Sequence, residues 1–270
     1  MPSTLINNID LAFQSVTVQW LDTLIPIAQR LFILLATIEL TWSGIWWALA
    51  SRADEIVMVS LLRKVVTLFF FYTVLLLAPT WMPMLIGSFA QAGGLASGIG
   101  TLDPGTVFSQ GVQIAWTMLK TTAKFFLADL IPGFLIGPPI LVFLAFMVIT
   151  AKMLMTLVES YIVLGGGVLL LGFGGSRWTV GLSEGYLLHA VRVGIKLFVI
   201  YLVIGIGMSL PETWLATLET VNPGDPRFFW EVMGGSLIFA MIIWRVPEFA
   251  ASMLGARAGL GMERAYEDRG

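Results

Sequence analysis

The sequence contains no cysteine and only one histidine among its 270 residues. Without cysteine, the chain has no disulfide, no cysteine-ligated zinc, no covalent haem attachment and no iron–sulfur ligation. His189 by itself cannot supply the histidine cluster that binds a transition metal. We therefore expect neither a metal site nor a cofactor.

Charged residues are also scarce, at 12% of the chain, whereas hydrophobic residues make up 57% and the mean hydropathy is +0.89. Soluble globular domains usually carry about 25% charged residues, so this composition excludes a soluble globular domain. The net charge of −2 provides no basic field for nucleic acid, and any DNA or protein cargo would have to meet local groups. The composition indicates a polytopic membrane protein.

Signatures of common enzymes are missing as well. The sequence has no GxxxxGK[ST] phosphate loop and no GxSxG nucleophile motif, and the glycines at 165–175 do not have GxGxxG spacing. A single histidine without a matched serine and aspartate is more often a packed polar residue than a general base. We expect that the chain is not an enzyme.

Long apolar segments predict an all-α fold with about five transmembrane helices. Each segment has the roughly 20 apolar residues that a bilayer requires. The third segment belongs to an apolar tract, 134–175, that has no turn signal between Ala151 and Ile162, so we expect one long, broken element. The predicted crossings are 31–50, 65–86, 134–160, 187–209 and 234–253.

Two further segments, 5–27 and 106–131, have apolar residues at helical spacing and polar residues on the other face. This pattern predicts amphipathic helices. The first helix either lies on the membrane surface or packs against a partner helix, and the sequence leaves both readings open. We divide the chain into an N-terminal amphipathic region at 1–30, a transmembrane domain at 31–254 and a tail at 255–270.

The distribution of charge predicts the orientation. Arg52, Arg63 and Lys64 connect the first two crossings and place that connection in the cytoplasm by the positive-inside rule. The acidic loop 210–232 is then periplasmic, and the arginine-containing tail 255–270 is cytoplasmic. The N-terminus lacks the basic region of a signal peptide, so we expect it to be retained. Because the connection after the first crossing is cytoplasmic, the N-terminus is expected in the periplasm. The tract 134–175 then crosses once, and its 161–175 part is a helix extension or a re-entrant piece.

Several charges fall inside the predicted crossings, where they are costly. Glu39 either faces other protein as a hydrogen-bonded or protonated carboxyl, or lines a polar pathway. Arg192 and Lys196 share one helix face, and they either pair with Glu159 or extend to water at the cytoplasmic end. The candidates for buried or axis-lining charges are Glu39, Lys152, Glu159, Arg192 and Lys196.

A glycine-rich stretch in the middle of the chain resembles a known family. The segment LLGFGGSRWT, followed by Glu184-Gly185-Tyr186 and VGIKLFV, is similar to the TrbL family, related to the sixth VirB protein, over about residues 130–210. The resemblance makes this stretch a family motif and a candidate for oligomer packing. Its residues are Gly165, Gly166, Gly167, Gly172, Gly174, Gly175, Arg177 and Trp178.

The resemblance implies a non-enzymatic component of a conjugative type IV secretion system in the bacterial inner membrane. It implies a homo-oligomeric ring that contacts pilin, the minor pilus-tip protein, the secretion ATPases, scaffold components and membrane lipid. The transient cargo would be a relaxase-linked single DNA strand, and the ring would also support pilus assembly. Family members usually continue into a long cytoplasmic tail rich in glycine, alanine and serine, whereas this sequence stops at Gly270.

Two other functional hypotheses remain open. A glycine-interrupted helix with buried charges is also how a small secondary transporter or channel builds a polar site at the membrane midplane. Such transporters are commonly built from repeats, and this sequence has no second copy of the glycine pattern. The remaining reading is a scaffold that anchors soluble partners.

Overall fold

The computed structural model describes residues 4–49, 54–98, 100, 102–126, 133–220 and 227–267. These residues are helical almost throughout and contain no strand, which confirms the predicted all-α fold. The elements are α1 (Thr4–Leu49), α2 (Asp54–Leu76), α3 (Ala78–Ala96), α4 (Pro104–Phe126), α5 (Gly133–Gly165), α6 (Val168–Leu171), a 3₁₀ turn (Gly172–Gly175), α7 (Val180–Gly207), α8 (Ser209–Thr220) and α9 (Arg227–Glu267).

Five stretches of these helices are long and apolar enough to cross a membrane, which matches the predicted number. They are Leu5–Leu49, Met58–Leu76, Ile136–Gly175, Val180–Leu218 and Arg227–Met253. Many large apolar side chains on them are exposed, such as Phe69 at 70%. Exposed apolar surface on this scale suits contact with lipid.

Helix α1 joins two elements that the sequence analysis separated. The amphipathic segment 5–27 and the span 31–50 form one helix of 46 residues, which passes through Pro26 without interruption. At about 1.5 Å per residue this helix is roughly 70 Å long, more than twice the thickness of a bilayer core. The turn after Pro26 is held by packing, because Ala28 and Phe32 are buried against the glycine-rich stretch.

The second predicted span, 65–86, ends earlier than expected. Helix α2 stops at Leu76, and α3 starts at Ala78 with Pro79 in its first turn. Proline has no backbone N–H, so it interrupts the hydrogen bonding of the helix at this point. The carbonyl of Val74, near the end of α2, instead accepts a hydrogen bond from the indole Nε1 of Trp81 at 3.0 Å. The proline-rich segment therefore begins a new helix. Helix α3 continues through Gly93 and Gly94 to Ala96, and the chain then turns at Gly98 and Gly100, which have positive φ.

Helix α4 corresponds to the second predicted amphipathic segment, 106–131, up to Phe126; residues 127–131 lie outside the described residues. Asp103 caps the helix by accepting hydrogen bonds from the backbone N–H and the hydroxyl of Thr106, at 2.8 and 2.7 Å. Pro104 follows at the first helical position, which suits its fixed φ. The buried stripe of α4 consists of Val107, Gly111, Ile114, Met118 and Thr122.

Helices α8 and α9 differ from the loop and the tail that the sequence predicts. The first part of the predicted loop 210–232 is the helix α8, which packs against α4. Pro211 and Glu212 lie in its first turn, where a missing N–H and a negative charge are tolerated. Helix α9 continues through the predicted tail to Glu267. Arg52 and residues 221–226 lie outside the described residues.

The chain divides into two units. One falls within Met1–Leu11, Ser88–Val158 and Gly194–Gly270, and its core includes the packing of α4 on α5 through Gly111 and Phe146. The other falls within Ala12–Gly87 and Glu159–Val193, and it contains the glycine-rich stretch.

The cap of α4 generates a prediction. Burial raises the pKa of Asp103, but hydrogen bonds from Thr106, Asn7 and Gly105 outweigh it and hold that pKa below its ordinary value. We expect Asp103→Ala to lower the free energy of unfolding by about 1 kcal/mol at neutral pH. Because the folded-state pKa is depressed, the carboxylate's contribution is complete above about pH 4 and is lost as pH falls through the folded pKa.

Unfolding of the detergent-solubilised protein, followed by circular dichroism between pH 3 and 7, checks this prediction. Asp103→Asn is the matched variant, since asparagine also caps a helix but does not titrate. A difference between wild type and Asp103→Ala that stays constant over this pH range would contradict the assignment.

A buried charge cluster beside the glycine-rich break

The apolar tract 134–175 breaks in its last third. Helix α5 runs without interruption to Gly165, and the chain then forms α6, the 3₁₀ turn and an extended residue at Ser176 before α7 begins. A broken helix frees backbone carbonyls that lipid cannot satisfy. The Thr179 hydroxyl donates to the carbonyl of Phe173 at 2.6 Å, and the Ser183 hydroxyl donates to that of Leu170 at 2.8 Å.

Five of the six motif glycines face other parts of the same chain at contact distance. A Cβ on Gly172 would lie 2.7 Å from the carbonyl oxygen of Ala28, and one on Gly175 would meet the carbonyl of Phe32. These contacts bring the break against the backbone of α1. The other contacts are Gly165 with Trp20, Gly167 with Tyr186 and Gly174 with Phe71; Gly166 meets only the carbonyl of Ile162.

This close packing places the end of the break beside Glu39. The carboxylate is 1% exposed, and its Oε1 lies 2.5 Å from Nζ of Lys64 on α2. The Ser176 hydroxyl donates to Oε2 at 3.1 Å, and Nε of Arg177 lies 3.7 Å from Oε1. Lys64 also donates to the hydroxyl of Ser43, which itself donates to the Glu39 carbonyl. Glu39 is thus a buried carboxylate with two cationic partners.

Tryptophans surround the exposed side of this cluster. The guanidinium of Arg177 lies 5.3 Å from the ring centre of Trp178, and Nζ of Lys64 lies 5.8 Å from that of Trp47. Trp178 also packs edge-on against Trp42. Tryptophan favours the boundary between membrane and water, so this end of the unit has the composition of an interface.

A cavity of about 780 Å³ adjoins the cluster. Glu39, Lys64 and Arg177 line it together with Arg63 and Glu184. Its volume lies within the range of roughly 300–1,000 Å³ that is typical of small-molecule sites. Among the described residues, no three histidine, aspartate or glutamate side chains lie close enough together to hold a metal ion.

A second charge cluster lies in the other unit. Glu248 on α9 bridges two lysines, with Oε1 at 2.8 Å from Nζ of Lys152 and Oε2 at 3.1 Å from Nζ of Lys196. Nζ of Lys152 also lies 5.3 Å from the ring centre of Trp244. The two lysines are largely buried, so the carboxylate stabilises two charges that would otherwise be costly.

The five charged residues predicted from the sequence therefore do not form one group. Glu39 joins the cluster at the break, whereas Lys152 and Lys196 meet at Glu248. The pairing of Glu159 with Arg192 or Lys196 stays a prediction. Nε of Arg192 is buried and makes no hydrogen bond within the part of the chain that the structure describes. A role of the glycines in oligomer packing also stays a prediction.

Comparison with known proteins decides the family. The family described as "TrbL/VirB6 plasmid conjugal transfer protein" matches residues 36–246, which include the break and the Glu39 cluster. The chain belongs to the TrbL/VirB6 family. This membership confirms the predicted TrbL resemblance and extends it well beyond residues 130–210.

Two curated relatives agree with the family. The chain is 28% identical over 248 residues to "Probable conjugal transfer protein TrbL" of Sinorhizobium fredii (strain NBRC 101917 / NGR234). It is 26% identical over 249 residues to "Conjugal transfer protein TrbL" of Rhizobium radiobacter. Each match covers 90% of this chain, but only 62% and 61% of the respective relative. The chain thus spans less than two thirds of the length of these TrbL proteins.

The sequence of this TrbL/VirB6 chain does not predict every member of the two clusters. The sequence indicates Lys64 only as a cation of the first cytoplasmic connection, and Glu248 is not among the predicted site residues. The sequence does contain a signal for such pairings. Few acidic residues lie inside the crossings, and each buried lysine needs a carboxylate. Ser43 and Ser176 gave no such signal, since their roles depend on the contact between α1 and the break.

The Glu39 cluster generates the next prediction. We expect Glu39→Gln to lower the free energy of unfolding by about 3 kcal/mol, because it leaves the buried Lys64 charge without its carboxylate. The double variant Glu39→Gln/Lys64→Met should recover much of this loss, since it removes both charges. Unfolding in a denaturing detergent titration measures each value.

Glu184→Gln is the control for loss of one negative charge, because Glu184 is exposed and lines the same cavity. We expect it to change the unfolding free energy by less than about 0.5 kcal/mol. If the double variant is as unstable as the sum of its two single variants, the ion pair does not stabilise the fold as we describe.

The motif glycines generate a third prediction. In Gly172→Ala the new Cβ would meet the backbone of Ala28, at 2.7 Å from its carbonyl oxygen, and neither helix can relieve this by a side-chain movement. We expect a loss of about 1–3 kcal/mol in the free energy of unfolding. The matched control is Gly185→Ala in α7, where a Cβ has open space and alanine favours the helix. Equal stability of the two variants would exclude close packing at Gly172.

Proposed function

We propose that this chain is a channel or scaffold subunit of the inner-membrane complex of a conjugative type IV secretion system. It assists transfer of a relaxase-linked single DNA strand and assembly of the pilus. The observation that carries the proposal is the family match over residues 36–246, which coincides with a set of five candidate membrane spans. The names of both relatives, which concern conjugal transfer, support the same assignment.

The partners follow from this role. The subunit forms a homo-oligomeric ring and contacts pilin, the minor pilus-tip protein, the secretion ATPases and scaffold components. Its N-terminus lies in the periplasm and its C-terminus in the cytoplasm, as the distribution of basic residues indicates. The chain performs no catalysis itself, and the associated ATPases provide the energy. The absence of nucleotide-binding and nucleophile motifs from its sequence supports this division of labour.

The exposed face of α4 supports a ring. Val112, Trp116 and Leu119 on this face are 40%, 57% and 40% exposed, whereas the opposite stripe of the helix is buried. The amine of Lys120 lies 5.6 Å from the ring centre of Trp116. A face that combines apolar side chains, a tryptophan and a lysine suits contact with a neighbouring subunit near the membrane surface. In the ring, α4 and the first half of α1 form an external collar.

The cavity beside Glu39 favours a second candidate function, a small secondary transporter or channel. A buried carboxylate in a cavity next to a broken helix is an arrangement that transporters use to bind a solute. Substrate-dependent flux into liposomes that contain only this chain would favour the transporter. Flux that requires the other secretion components would favour the secretion subunit.

The absence of native cysteines makes the ring directly testable. We expect Gln113→Cys, on the exposed face of α4, to give a ladder of disulfide-linked oligomers in membranes under mild oxidation. Met118→Cys on the buried stripe of the same helix is the matched control and should stay monomeric. In mild detergent, we expect a protein mass several times 29.6 kDa.

A conjugation assay tests the role in transfer. Deletion of the gene should abolish plasmid transfer to recipient cells, and expression of the wild-type chain in trans should restore it. A strictly monomeric protein in mild detergent, together with unchanged transfer after deletion, would exclude the secretion-subunit function.

A further inference from the structure

The cavity beside Glu39 has a surplus of positive charge. Arg63, Lys64 and Arg177 line it together with two carboxylates, Glu39 and Glu184, so three cations face two anions. Arg63 is exposed and forms no ion pair with the acids whose side chains the structure describes. The cavity can therefore accept an additional anionic group.

Arg177 keeps donors available for such a group. Its contact with Glu39 involves Nε at 3.7 Å, and its side chain is 58% exposed. A guanidinium carries five N–H donors in a planar fork, and this fork matches the oxygens of a phosphate. Arg63 and Arg177 thus provide the donor type that phosphate recognition uses most effectively.

Apart from the charged groups and the hydroxyls of Ser60, Thr67 and Ser176, the cavity wall is apolar. Val59, Leu68 and Phe71 on α2 line it together with Val180 at the start of α7. Gly174 completes this wall, and a Cβ at this position would lie 3.0 Å from the ring of Phe71. An apolar wall beside two arginines suits a molecule that has an anionic head and a hydrocarbon tail.

The position of the cavity suits the same kind of molecule. A second cavity of about 560 Å³ shares Lys64 and Arg177 with the first and is lined by four tryptophans. Such a group of tryptophans marks the level of the lipid headgroups. The tryptophans of the second cavity are Trp42, Trp46, Trp47 and Trp178.

We infer that this cavity binds the phosphate headgroup of an anionic phospholipid through Arg63 and Arg177, with the first part of an acyl chain along the apolar wall of α2. Lys64 stays paired with Glu39 and adds its charge to the site. Basic pockets between membrane helices are suited to anionic lipid headgroups. Phe71 is the one aromatic side chain among the residues that line this cavity, so its wall favours a lipid over single-stranded DNA, whose successive bases would require several stacking surfaces.

Native mass spectrometry of the detergent-solubilised full chain tests this inference. The protein is titrated with dioleoylphosphatidylglycerol and with dioleoylphosphatidylcholine, which share acyl chains and differ in headgroup charge. We expect at least tenfold tighter binding of the phosphatidylglycerol. Arg63→Gln/Arg177→Gln should weaken that binding about tenfold, since it removes two charge-assisted contacts, and should leave phosphatidylcholine binding unchanged.

Two matched variants sharpen the result. Arg245→Gln removes one exposed cation outside the cavity and should not change either affinity. Glu184→Gln removes one negative charge from the cavity wall and should strengthen binding of phosphatidylglycerol. If the double variant loses its fold, the single variant Arg63→Gln replaces it in the lipid titration, because Arg63 is exposed and lies outside the Glu39 ion pairs.

The inference fails if both lipids bind equally, or if Arg245→Gln weakens binding as much as the double variant does. Inorganic phosphate or glycerol phosphate that displaces the lipid at equal concentration would assign the site to a soluble phosphate. Displacement by a ten-nucleotide single-stranded DNA would assign it to the cargo. Each outcome concerns binding to the purified chain, so it is independent of the ring and of the transfer assay.

Discussion

The close approach between the backbone of α1 and the glycine-rich break is the constraint on which the rest of this unit depends. Gly172 meets the backbone of Ala28, and Gly175 meets the carbonyl of Phe32, without a side chain between them. Any larger residue would separate the two elements and would move Ser176 and Arg177 away from Glu39. The glycines therefore act as a spacing device that determines where the charges of the break lie.

This spacing makes intramembrane charge tolerable. A charged side chain in the apolar part of a membrane is costly unless it has a partner. The protein offsets this cost by grouping its charges, with Glu39 between Lys64 and Arg177 and Glu248 between Lys152 and Lys196. Each cluster joins one carboxylate to two cations, and the charges that line the cavity at the break include one more cation than anions. At the break, that surplus adjoins a cavity and a group of tryptophans, which makes it available to a phosphate group.

The structure also separates two uses of the polar groups around the break. Thr179 and Ser183 satisfy the carbonyls that the interrupted helix releases, and this role is structural. Arg177 reaches both Glu39 and Trp178, and more than half of its side chain is exposed. Arg177 is therefore the motif residue that connects the buried cluster to the surface. This distinction explains why a motif of small residues ends in an arginine and a tryptophan.

Composition and segment length are sufficient to identify the class of the protein. The apolar composition and the lengths of the apolar segments led to an all-α membrane protein with five crossings, and the glycine motif led to its family. These are local properties, since hydropathy and motif identity do not depend on what a residue contacts. The start of α4 is also a local property, because Asp103 and Pro104 are residue types that favour the first positions of a helix. Three features depend on long-range packing and became visible in the fold alone. The first amphipathic segment and the first span are one helix, Glu248 joins Lys152 and Lys196, and Lys64 joins Glu39. Packing on the glycines maintains the helix beyond Pro26, and each ion pair joins residues far apart in the chain. The physical reason is that a buried charge takes the nearest opposite charge in space, and spacing along the sequence does not show which one that is.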